Sequence, residues 1–161
     1  MKIFADRYWM LTVLILALID QASKMIISAW LPLYQSRSVI PGFFNLYHTT
    51  NRGAVWGLFS RSESAVPLVM LILSGGAFLV ILVLFWRGRF RGLERISFLL
   101  ILGGALGNII DRLRYGQVID FLDFHLGRHH WPTFNLADSF IFCGVVLLAW
   151  TILRGNKCTQ S

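Results

Sequence analysis

Carboxylates recur inside, or directly against, stretches of this chain that are otherwise apolar enough to lie in lipid. Asp20 and Lys24 interrupt the first such run, Asn108, Asp111 and Arg112 close the third, Asp120 follows, and Asn135 and Asp138 open the fourth. A charged side chain at the centre of a bilayer costs about 3 kcal/mol on insertion scales, so one that persists there faces a bundle interior or a wet cavity and marks a functional site. This excludes any fold in which all four runs are simple lipid anchors.

The solvent assignment rests on composition. The chain has 161 residues, 56% of them hydrophobic and only 14% charged, with a mean hydropathy of +0.63. That is too apolar for a water-soluble domain, and the length suits one domain over residues 1–161. Four segments, about 9–30, 67–86, 95–113 and 136–153, each reach the roughly 20 residues of helix needed to cross a bilayer. The expected fold class is a mainly α membrane protein of four transmembrane helices. Lys2 and Arg7 ahead of the first run imitate a signal peptide, but the apolar stretch continues past Lys24 to Trp30 without a small-residue cleavage site, so it reads as a retained helix.

Basic residues orient the bundle, because short loops rich in Lys and Arg stay in the cytoplasm. Arg87, Arg89, Arg91 and Arg95 crowd the short second link, Lys2 and Arg7 precede the first helix, and Arg154 and Lys157 follow the last. Both termini are therefore expected inside, and segments 31–66 and 114–135 outside. The net charge of +7 reads as this topology signal with some attraction to anionic membrane lipids; no motif for nucleic acid is present.

On that topology every intramembrane charge falls near the outer boundary. A transporter would need polar groups on both sides of the midplane and internal repeats, and a non-catalytic scaffold has no use for charges gathered at one level. Within GGALGNIIDR, residues 103–112, the glycines permit close helix packing, while Asn108, Asp111 and Arg112 at i, i+3 and i+4 share a face. VIDF sets Asp120 between apolar neighbours in an outer loop, and FNLADS sets Asn135 one turn from Asp138.

These strings, DQASK at 20–24, NRGAVWG at 51–57, GGALGNIIDR, VIDF at 118–121 and FNLADS at 134–139, together resemble bacterial lipoprotein signal peptidase, the type II signal peptidase, in order and spacing. Val55 and Trp56 depart from that family, which more often has a small residue and Phe there. The resemblance implies an aspartic endopeptidase of the bacterial inner membrane, active near its periplasmic face. Its substrates would be diacylglyceryl-modified prolipoproteins, cleaved before the modified cysteine. It implies Asp120 and Asp138 as the catalytic pair, with Asp20, Lys24, Asn51, Asn108, Asp111, Arg112 and Asn135 supporting the site or binding substrate. It also implies a small extracytoplasmic β-cradle and a short amphipathic helix from residues 31–66 and their neighbours, and needs no cofactor or metal. A monomer suffices, since one chain carries both acids.

The residues themselves admit this chemistry. Two carboxylates held close cannot both ionise in a poorly solvated site, so they share a proton and can act as base and acid by turns. Serine and zinc chemistry lack their motifs. Simpler readings stand beside the functional ones. Asp20 and Lys24 form a self-neutralising i, i+4 pair or touch substrate; Asp111 anchors a helix end; Arg112 snorkels or clamps a substrate carbonyl; Asp138 is a first-turn acid favoured by the helix dipole or a catalyst. Asp123 is expected in solvent, the His129–His130 pair in solvent or at the interface, Cys143 in the core, and Gly75 and Gly76 at a close helix contact.

Overall fold

The computed structural model describes residues 8–53 and 65–155. Four helices dominate: α1 (Trp9–Trp30), α2 (Val66–Arg87), α3 (Gly92–Tyr115) and α4 (Leu136–Gly155). Four strands complete the chain order, β1 (Ser36–Ile40) and β2 (Phe44–Asn51) between α1 and α2, and β3 (Val118–Leu126) and β4 (His129–His130) between α3 and α4. Lys2, Arg7, Val55, Trp56, Lys157 and Cys158 lie outside the described residues.

Each helix is long and apolar enough to cross a membrane. In α1 the buried residues Val13, Ala17, Asp20, Lys24 and Ile27 alternate steps of four and three, which is one stripe of a helix. Asp20 and Lys24 thus belong to the packing face. α1 ends where Pro32 forbids continuation. α3 ends at Gly116, whose φ of 67° is the left-handed conformation that glycine adopts without a Cβ clash. α2 has Val66 as its one buried residue, and its apolar side chains turn outward, as lipid rather than water requires.

α3 is the axis of the bundle, packed against each of the other helices. Its glycines make the close approaches. A Cβ on Gly103 would meet Leu16, one on Gly104 would run into the Ala137 carbonyl oxygen, and one on Gly107 would come within 2.5 Å of Asp20 Oδ2. Gly75 and Gly76 differ from expectation: nothing lies within 4 Å of where their Cβ atoms would stand. A glycine pair allows a contact but does not create one, and α2 has a helical neighbour on only part of its circumference. Cys143 likewise is exposed on the outer side of α4, because an apolar run in lipid is apolar on both faces.

The sheet is antiparallel in the order β1-β2-β3-β4. Its second half comes from the 114–135 segment, so Asp120 lies on a strand and not in a loop. VIDFLDF carries β-branched and aromatic residues suited to a pleated surface, and β2 supplies the partner edge, with Thr49 opposite Asp120 and Asn45 opposite Asp123. A register shift between Leu46 and Thr49 accompanies the burial of His48, whose Nδ1 donates to the Leu31 carbonyl oxygen at 2.7 Å. The sheet is thereby fastened to the end of α1. Among the described residues of segment 31–66 no short amphipathic helix occurs, and residues 54–64 lie outside the description.

Candidate active site

The polar residues singled out from the sequence gather where the sheet meets the ends of α1 and α3 and the start of α4. They divide into two linked clusters.

The first is a closed set of fixed charges. Lys24 Nζ lies 2.7 Å from Asp20 Oδ2 and 2.7 Å from Asp111 Oδ2, and all three side chains are at most 2% exposed. The same ammonium donates to Asn108 Oδ1 at 3.1 Å. Asp20 Oδ1 reaches across the bundle to accept the Ala137 N–H at 2.9 Å, an unpaired donor of the first turn of α4, where an anion is electrostatically favoured. Asp111 Oδ2 accepts the Ile119 N–H at 3.2 Å, tying α3 to the start of β3. Gln21, which the sequence did not single out, donates to Asp111 Oδ1 at 2.6 Å and to the Gly107 carbonyl at 3.2 Å. Its signal was its place in DQASK, three residues before Lys24 on the same helical face.

The second cluster joins Asp120 and Asp138 through amides. Asn135 Nδ2 donates to Asp120 Oδ1 at 2.7 Å, while the Asn135 backbone N–H donates to Asp138 Oδ2 at 3.3 Å. In return Asn135 Oδ1 accepts the Asp138 N–H at 2.9 Å. This reciprocal pairing is a capping box at the start of α4, so the first-turn reading of Asp138 describes its geometry correctly. Its other oxygen faces away from the cap and accepts Asn108 Nδ2 at 2.7 Å. Asn108 thus spans both clusters, receiving from Lys24 and donating to Asp138.

Asp120 is 3% exposed. Burial, and then the neighbouring charge of Asp138, push its carboxyl up to about 7, against the opposing hydrogen bonds of Asn51 and Asn135. Asn51, at the exposed end of β2, contacts Asp120 by that bond and accepts the Gly53 N–H on its Oδ1 at 2.7 Å. Arg112 is half-buried, donates to the Asn108 carbonyl at 3.3 Å and lies in the field of Asp138, Asp111 and Asp120. It turns toward the acids instead of snorkelling away.

Among the described residues no three His, Cys, Asp or Glu side chains converge as ligands for a cation; the acids are bridged by amides and by Lys24. A cavity of about 300 Å³ opens between α1 and α3, floored by Gln21, Lys24 and Asp111 and walled by Met25, Ala29, Tyr115 and Ile119. It abuts the fixed charges, and neither Asp120 nor Asp138 lines it. One expectation fails on the sheet: Asp123 is buried, and the exposed His130 pairs with it at 2.7 Å. Alternation along β3 turns Asp123 inward, toward donors that a solvated loop would lack.

An acid pair of this kind, one member buried and the other half-buried, can hold one proton and exchange it with a water and a carbonyl. The chain also has close counterparts. The family model described as signal peptidase (SPase) II matches residues 12–154. The lipoprotein signal peptidase of Burkholderia cenocepacia (strain HI2424) is 48% identical over 146 residues, covering 91% of this chain and 87% of that protein. That of Syntrophotalea carbinolica is 40% identical over 151 residues, 92% of each. A solved structure described as a bacterial membrane enzyme, obtained by the in meso method at 2.3 Å, superposes with a TM-score of 0.80 at 29% identity, over 95% of this chain and 91% of the other.

Proposed function

The chain belongs to the signal peptidase II family, and on that footing we propose that Asp120 and Asp138 are the acid pair with which it cleaves signal peptides from bacterial prolipoproteins. It is a multi-pass protein of the inner membrane and a peptidase of lipoprotein precursors. The aspartic mechanism and the residue roles are the proposal. The observation that carries it is the grip of one residue on both acids: the Asn135 amide holds Asp120 and its backbone N–H holds Asp138.

With one proton on the pair, Asp120 is its natural seat, because burial and the charge of Asp138 disfavour a second carboxylate. Asp138, oriented by Asn135 and Asn108, takes a proton from water. The hydroxide so formed attacks the scissile carbonyl carbon while the Asp120 carboxyl gives its proton to the carbonyl oxygen. At breakdown Asp138 returns a proton to the departing amine as the C–N bond breaks, and Asp120 recovers its own from the hydroxyl. Arg112 is placed to steady the substrate backbone beside the acids, and Asn51 to hold Asp120 from the sheet side. The Asp20, Lys24 and Asp111 set supports this arrangement through Asn108 and contacts no substrate.

Positive charge at the link between α2 and α3 puts that end in the cytoplasm and the acids at the periplasmic boundary. There a diacylglyceryl-modified cysteine would remain in the outer leaflet while the peptide bond reaches the pair. One chain suffices, so the working unit is a monomer. The test is cleavage of a diacylglyceryl-modified prolipoprotein in liposomes by wild type, Asp120→Asn and Asp138→Asn. Both variants should fold and lose turnover, and normal turnover by either folded variant removes that residue from the mechanism.

A further inference from the structure

Resting on the peptidase reading, we propose that Asp123 and His130 are positioning residues, a clasp on the loop between the two acids that fixes the approach of Asp120 to Asp138. The mechanism above has no use for Asp123, yet it is a buried carboxylate on the strand of Asp120. Its two oxygens have partners on opposite sides. Oδ2 accepts Asn45 Nδ2 from β2 at 2.9 Å, and Oδ1 accepts His130 Nδ1 from β4 at 2.7 Å. Although burial works against its charge, these bonds outweigh burial and hold the carboxyl below its ordinary range.

β4 is two residues long, paired only as His125 with His130 and Leu126 with His129. So short a ladder fixes register weakly by itself, and side chains add to it. Here the His125 ring lies flat against that of His130, centroids 4.6 Å apart and planes within 12°. His125 Nδ1 donates to the Gly127 carbonyl oxygen, and its Nε2 is buried without a partner. The stack thus holds His130 over Asp123 while leaving a polar atom of its own unmatched.

Downstream the chain returns along β3 with little slack. Trp131 N–H donates to the Phe124 carbonyl at 2.8 Å, Phe134 N–H to the Leu122 carbonyl at 3.2 Å, and the next residue is Asn135. The distance from Asp120 to Asn135 and Asp138 is therefore set by the register of the 129–134 stretch on β3. A slip of one residue moves a strand by about 3.3 Å, beyond what the 2.7 Å bond from Asn135 to Asp120 tolerates. Asp123, fixed to β2 on one side and to His130 on the other, forbids that slip.

The experiment measures kcat and KM on a diacylglyceryl-modified prolipoprotein in liposomes for His130→Ala, His130→Gln, Asp123→Asn and the double variant His130→Ala with Asp123→Asn. Asp120→Asn serves as the inactive control. His130 is half-exposed, so its variants fold even where a change at buried Asp123 does not. His130→Ala should lower kcat about tenfold with KM within about twofold, since misplaced catalytic groups cost rate and not binding. His130→Gln, which keeps an N–H donor, should recover much of the loss, and the double variant should be no worse than the poorer single one. Wild-type kcat in His130→Ala overturns the clasp, as does a change confined to KM or to thermal stability. An active Asp120→Asn would instead overturn the catalytic role of Asp120 on which the clasp rests, so the two failures are distinct.

Discussion

Two carboxylate clusters touch at Asn108, built from the same residue types, and they differ in what stands between the acids. Between Asp20 and Asp111 stands an ammonium, 2.7 Å from each and sealed from solvent. Between Asp120 and Asp138 stands the neutral amide residue Asn135, with Asp138 half-buried. A cation between two acids fixes both charges and makes the group rigid. An amide aligns two acids without cancelling their repulsion, so a proton must be shared and can be moved. On the proposed mechanism, that choice of bridge separates the structural acids from the chemical ones.

The largest expected effect falls on the amide-bridged pair. Asp120→Asn or Asp138→Asn removes a proton carrier and should lower turnover about 10³-fold, with helical content and thermal unfolding in detergent close to wild type. If such a variant instead unfolds while residual activity per folded molecule stays normal, the two clusters are alike and the contrast is broken.

The lysine-bridged cluster should behave oppositely. Lys24→Met strands two buried carboxylates and should cost about 3–5 kcal/mol of stability, read by thermal unfolding in detergent. Arg154→Met, at an exposed residue stacked on Trp150, should stay within about 0.5 kcal/mol. Equal tolerance of the two would mean that the triad does not hold the bundle.

A smaller effect sharpens the packing side. Gly104→Ala would drive a Cβ against the Ala137 carbonyl, the same residue whose N–H is held by Asp20, and overpacking of this kind costs about 1–3 kcal/mol. Gly76→Ala, facing open space, should be neutral or slightly stabilising because alanine is the better helix former. Unfolding curves of the pair decide whether the α3 glycines, and not the α2 glycines, set the helix spacing.

The mildest test is pH. The Asp120 carboxyl is raised to about 7 in the fold, so its proton is bound more tightly there than in an unfolded chain. Its contribution to stability is present at low pH and is lost as pH rises through about 7. Activity that needs one proton on the pair should fall over the same range, approaching tenfold per pH unit above it. A profile of kcat/KM flat through pH 9 would show that no shared proton is required.

Much of this was readable before any coordinates. Helices need only a long apolar run, and α1 spans Trp9–Trp30 as its hydropathy implies. The i, i+4 spacing of Asp20 and Lys24 announced their pairing. Strand β3 was hidden because its main partner is distant: β2 lies some seventy residues earlier in the chain, with Thr49 opposite Asp120. Asp123 was misjudged because burial of a loop-like charge depends on donors brought from elsewhere, here Asn45. Gly75 and Gly76 show the converse, a local signal for packing that no neighbour takes up.

The amino-acid order by itself determined the solvent, the four crossings and the gathering of polar residues at one level, because lipid solvation acts on each segment separately. Which acids meet a lysine and which meet only an amide was decided by the tertiary structure. Hydrogen bonds and ion pairs between α1, α3, β3 and α4 reach only about 3 Å, and no spacing along one chain segment specifies contacts that short between four.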